Sequence, residues 1–124
     1  MNYTGIEQSK KLLELGLKPE TADCFYDLAE PDDRRKPIVG RMDEYEGEEW
    51  FVPCWSVGAL IGLLPERIPY KVDNQTHALL DIQKNSVAYV AYGWDNEVVF
   101  ETGRKDLIDC LVETFEWLLQ NKYI

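Results

Sequence analysis

Histidine is nearly absent from this chain of 124 residues: His77 is the only one, and cysteine occurs three times, at Cys24, Cys54 and Cys110. One histidine and scattered cysteines do not make a structural zinc site, and no CxxC or HxxxH pair occurs. The odd, sparse cysteine set also argues against a disulfide-stapled secreted domain. No Gly-rich phosphate loop exists, because Gly58 and Gly62 fall inside a helical pattern and no lysine follows them. The longest mostly apolar stretch, Phe51 to Pro65, is broken by Pro53, Ser56 and the two glycines, and is too short for a bilayer. Met1 to Glu7 lacks a basic region followed by an apolar one, so no secretory leader is expected and the reading is cytoplasmic. Neither a metal nor a cofactor is expected.

Positive charge is scarce as well. Thirteen basic residues stand against 23 acidic ones, a formal charge of −10. A phosphate backbone is bound by releasing counterions to Lys and Arg, so this balance disfavours direct nucleic-acid binding and anionic membranes. Arg34-Arg35-Lys36 is the only basic run of three, and Asp32-Asp33 precedes it.

What the chain does have is core material: 45% hydrophobic residues, 12% of all residues aromatic. That suffices for one globular domain spanning 1–124. The pattern predicts a helix over 5–15, capped by Thr4 and ended by Gly16, with Ile6, Ser9, Leu12 and Leu13 inward. Residues 29–37 read as a charged, mobile loop between prolines. Ile38 to Asp43 and Glu49 to Pro53 read as two strands of a hairpin, a small sheet of its own in one arrangement. Ser56 caps a short helix, Val57 to Leu64, on which the glycine pair suggests a closely packed neighbouring backbone. A meander follows at 78–83, 87–94 and 97–101. Both faces of its middle strand are apolar, Val87, Tyr89 and Ala91 against Ala88, Val90, Tyr92 and Trp94, so it is expected to be central and covered on both sides, at least in part.

The last helix, about 104–121, carries Leu107, Ile108, Leu111, Val112, Phe115, Leu118 and Leu119 in a sector of roughly 140°. Asp106, Asp109, Glu113 and Glu116 gather opposite. Cys110 and Trp117, seven apart, are expected among those carboxylates. The fold class is α+β: a mainly antiparallel sheet of about five strands, the long C-terminal amphipathic helix, and shorter N-terminal and central helices.

Candidate chemistry is thin. Cys54 precedes a helix start, where a thiol pKa falls, and His77 is the one histidine that could serve it as base. Nothing in the sequence joins them, and both have bland readings as a buried apolar residue and a loop residue. The tip Asp43 to Glu49 holds five carboxylates in seven residues, including Glu44 and Glu46 around Tyr45, without the alternating pattern of a Ca²⁺ loop. An exposed Trp117 ringed by Asp109, Glu113 and Glu116, with Cys110 on its line, has the composition of an interaction hot spot. Coverage of Trp117 by another element is the competing reading.

The run Glu7-Gln8-Ser9-Lys10-Lys11-Leu12-Leu13-Glu14-Leu15-Gly16-Leu17 with Thr21-Ala22-Asp23, the stretch Pro53-Cys54-Trp55-Ser56 to Leu64-Pro65, and the closing helix resemble small proteins of prophages and integrated mobile elements in anaerobic gut bacteria. Together they cover about half of the chain. That family has no assigned activity, so the resemblance implies a setting, an accessory protein of a phage or mobile element, and no site residue. The readings left are an acidic protein-interaction module for a basic partner, in one form a nucleic-acid mimic; a structural homo-oligomer; and, far behind, a small hydrolase using Cys54. An enzyme is the less favoured class.

Overall fold

Two antiparallel sheets, each with its own helix, organise the chain. The computed structural model describes residues 2–40, 50–69, 77–92 and 96–124. The chain divides into two compact units, Met1–Leu63 and Leu64–Ile124. Among the described residues there are three α-helices and seven strands, and the strands form one three-stranded and one four-stranded sheet. The class is therefore α+β as expected, with two sheets in place of one of about five strands.

In the first unit, helix α1 spans Ile6–Leu15. Gly5, not Thr4, stands at its N-cap, and the Gly5 N–H donates to Gln8 Oε1 at 2.9 Å. Gly16 ends it at φ +110°, a left-handed conformation that glycine adopts without strain. Thr4 lies one position earlier and is fully buried. Its hydroxyl accepts from the Trp55 N–H at 3.0 Å and meets Ser9 Oγ at 2.7 Å. Ser9 Oγ donates onward to the Gly5 carbonyl at 2.7 Å, so Thr4 is the donor to Ser9. Every polar atom of this enclosed relay is satisfied, as burial requires.

Strand β1 (Cys24–Asp27) lies in the middle of the first sheet, between β2 (Ile38–Val39) and β3 (Phe51–Cys54). The expected 38–53 hairpin is therefore corrected: β2 and β3 are not partners, because both pair with β1. The acidic tip of that hairpin, with Glu44, Tyr45 and Glu46, lies outside the described residues. Helix α1 packs on β3. The core there is Cys24, Tyr26, Val52 and Cys54, with Tyr3, Ile6 and Leu28 against it.

Helix α2 (Val57–Leu63) starts as expected, with the Ala59 N–H donating to Ser56 Oγ at 3.1 Å. The expectation of close packing at its glycines does not hold. Among the described residues a Cβ at Gly62 would meet nothing within 4 Å, and one at Gly58 only Ser56 Oγ at 3.9 Å. In the loop 29–37, Arg35 bridges to Asp32 and donates to the carbonyls of Glu30 and Leu28 at 2.9 and 3.0 Å.

In the second unit, β4 (Arg67–Pro69), β5 (His77–Gln83), β6 (Ser86–Ala91) and β7 (Glu97–Glu101) form a sheet in sequence order. Helix α3 (Leu107–Gln120) packs on β6. Asp106 caps it by accepting from the Ile108 N–H at 3.1 Å. Among the described residues, no helix is long and apolar enough to cross a membrane.

Candidate functional site

Alternation along β6 assigns the two sheet faces. Val87, Tyr89 and Ala91 are buried beneath α3, whereas Ala88 and Val90 are half-buried and Tyr92 is 57% exposed. Among the described residues the middle strand is thus fully covered on one side and partly on the other, and Trp94 lies outside them. Cross-strand register extends the uncovered face: Leu79 of β5 stands opposite Val90, and Val90 opposite Val98 of β7. Leu79 is 40% and Val98 53% exposed. Three aliphatic side chains therefore lie in one row across three adjacent strands, and Arg67 of β4, opposite Leu79, ends the row. The next row on one side is Asp81, Ala88 and Glu101; on the other lie Pro69, His77 and Tyr92. Exposed apolar residues occur singly on any surface, and a contiguous set with a charged rim is a candidate contact surface.

Helix α3 is corrected. Its buried residues are Ile108, Cys110, Leu111, Val112, Thr114, Phe115 and Leu118, so the inward face is wider than the aliphatic stripe and turned toward the 110–114–117 line. Cys110 is fully buried, with Sγ directed at the Asn85 carbonyl at 3.3 Å. Trp117 is half-buried and stacks on Phe100 at 4.6 Å between ring centroids, with Tyr89 at 6.0 Å and Tyr123 at 5.1 Å. Neither residue belongs to an exposed acidic face. Asp109, Glu113 and Glu116 are all half-buried. Lys105 Nζ lies 3.2 Å from Glu113 Oε2, an ion pair without hydrogen-bond alignment. Among the described residues the exposed tryptophan is Trp50, at 60%, just before β3.

The weak catalytic pair separates into different settings. Cys54 ends β3, is fully buried, and faces Cys24 across the strands. The start of α2 is occupied by Ser56 instead, whose N–H donates to Asp23 Oδ1 at 2.9 Å and whose hydroxyl bonds Asp23 Oδ2. His77 begins β5, half-buried, opposite Pro69. Among the described residues, no group of three His, Cys, Asp or Glu side chains could hold a metal ion.

A cleft of about 640 Å³ opens at the start of α1, lined by Ile6, Lys10, Tyr26, Leu28, Asp32 and Arg35 among others. Two of its charged lining residues, Asp32 and Arg35, are already joined by an ion pair. Tyr26, at its wall, donates to the Thr4 carbonyl at 2.9 Å. Burial, then the nearby Cys54 and Cys24, push its phenol up to about 12. A phenol so held stays neutral and is a structural strut.

No family model, no curated protein and no solved structure matches the chain. The outer sheet face was within reach of the sequence. The apolar residues on both sides of 87–92 are the signal that marks it.

Proposed function

We propose that this chain is a protein-interaction module whose contact surface is the outer face of the four-stranded sheet. The observation that carries the reading is the in-register row of exposed Leu79, half-buried Val90 and exposed Val98, beside exposed Tyr92. Asp81 and Glu101 border it, and the chain carries a charge of −10. The fitting occupant is a protein surface with apolar side chains at its centre and Lys or Arg at the rim facing Asp81 and Glu101. Such charge complementarity speeds encounter and makes binding salt-sensitive, while the apolar row supplies the anchor. The setting of a phage or mobile-element accessory protein in the cytoplasm belongs to the same reading. Nucleic-acid mimicry has less support, because the α3 carboxylates are half-buried and Glu113 is paired with Lys105.

A structural homo-oligomer is the second reading, favoured by β7 lying at the outer edge of the sheet. A bulge between Tyr89 and Val90 and a glutamate at each end of β7 oppose edge pairing there. A hydrolase would rest on Cys54, whose side chain is enclosed.

The test compares wild type, Leu79→Asp with Val98→Asp, and Asp109→Asn with Glu113→Gln and Glu116→Gln, as baits in one host lysate. Partners captured by wild type are expected to be lost from the sheet variant, kept by the helix variant, and weakened as salt rises. Retention of the same partners by a folded sheet variant removes this face from consideration. Self-association is read separately by sedimentation, where a strict monomer ends the second reading.

A further inference from the structure

Cys24 and Cys54 stand directly opposite each other in the β1–β3 ladder, and both are fully buried. Both point to the sheet face shared with Tyr26 and Val52. The backbone parity of the pair can be worked out. Thr4 donates to the Trp55 carbonyl, and the Trp55 N–H turns back to Thr4 Oγ1, so residue 55 faces away from β1 and residue 54 faces toward it. At the other end, Leu28 donates to the Trp50 carbonyl at 2.7 Å, four steps from Cys54 and of the same parity. The 24–54 pair is therefore a hydrogen-bonded one, with Cα atoms about 5.5 Å apart, inside the range of about 4.4–6.8 Å that a disulfide spans. The neighbouring Cys54 side chain, then burial, hold the proton on Cys24 well above the ordinary thiol range. Cys110 differs, because its thiol points at the carbonyls of Asn85, Gly103 and Lys105.

We propose that Cys24 and Cys54 form a site of reversible disulfide formation, with hydrogen peroxide as the oxidant. When a local opening of the first unit exposes the pair to solvent, one thiol loses its proton and attacks a peroxide oxygen. The O–O bond breaks, a sulfenic acid forms, and the departing hydroxide takes the proton to become water. The second sulfur then attacks the first. The S–O bond breaks, the S–S bond forms, and the hydroxyl leaves with the second thiol proton as another water. Two thiols and one peroxide give one disulfide and two waters. The two electrons lost by the sulfurs reduce the peroxide. Directly opposite Cβ atoms in such a ladder must draw together by about 1 Å to reach disulfide spacing, so the closed bond is strained and readily reduced.

Wild-type protein is treated with peroxide under native conditions, quenched with catalase, unfolded and alkylated. The expected product carries one alkyl group in place of three, with a peptide containing Cys24 linked to one containing Cys54. Millimolar dithiothreitol returns all three thiols. A bond from either cysteine to Cys110 or to a second chain, or sulfinic acid at Cys24 or Cys54, overturns the proposal. A parallel sample is refolded from urea in oxidised glutathione, where burial no longer bars the reagent. The same 24–54 link is expected there. Three free thiols, or glutathione held on Cys24 or Cys54, overturns the proposal whatever the native rate.

Discussion

Replacing Trp117 by alanine removes the ring on which Phe100, Tyr89 and Tyr123 converge, at 4.6, 6.0 and 5.1 Å. Truncating a core tryptophan costs about 3–5 kcal/mol. Trp117 is half-buried, so the transfer part of that cost is reduced. Each aromatic contact adds about 0.5–1.5 kcal/mol beyond area. Together these place the loss at roughly 2–4 kcal/mol. With a urea slope of about 1.5 kcal/mol/M for a protein of this size, the unfolding midpoint falls by roughly 1.3–2.7 M. Far-UV ellipticity follows the midpoint, and near-UV ellipticity is expected to lose the signal of the coupled rings. Trp117→Phe should fall between, because one ring of the stack remains. An exposed hot spot behaves differently: its truncation leaves stability within about 0.5 kcal/mol. A Trp117→Ala midpoint within a few tenths of a molar of wild type would therefore refute the stack as a stabilising element.

Two further outcomes concern stability. Gly62→Ala is expected to raise stability by about 0.5–1 kcal/mol, since a Cβ there meets nothing and alanine favours the helix; a lower melting temperature would reveal a close neighbour after all. Alkali is expected to weaken the first unit. Burial and neighbouring thiols raise Tyr26 from 10.0 to about 12, so its neutral form belongs to the folded state. Its contribution is whole below pH 10 and fades by roughly 2–3 kcal/mol as pH climbs to about 12. Cys24 and Tyr89, both raised, act in the same direction, Cys24 beginning near its ordinary 9.0. Urea midpoints measured at pH 8, 10 and 11.5 should decline above about pH 9, and a flat series contradicts the assignment.

The long periodic elements were legible from sequence. Helices α1 and α3 and the strands β5, β6 and β7 announce themselves by spacing and by turn residues such as Gly16 and Asn85. Strands β1 and β4 did not, because four and three residues are too few for a period to show. Missing β1 had two consequences. The strands flanking Glu46-Gly47 read as each other's partners, and the Cys24–Cys54 pairing does not show in the sequence. A helical wheel records one helix and not what flanks it, so the sheet aromatics that enclose Trp117 were invisible to it. Thr4 failed as a cap for a similar reason. Its partner, the Trp55 N–H, lies 51 residues away in the chain.

That distance also bears on the order in which the molecule assembles. Asn2 accepts from the Val57 N–H, and Tyr3 forms a bridge with Ser56. The first unit closes on its own earliest residues, so on a ribosome it waits for Val57 to emerge before its N-terminal seam can form. The four-stranded sheet is built from neighbours in sequence, each strand meeting the one just made. Loop closure of that local kind is quick, whereas a seam spanning more than fifty residues is slow. The part of the chain synthesised first therefore carries the later-forming contact, and Cys24 and Cys54 stay apart until their strands pair.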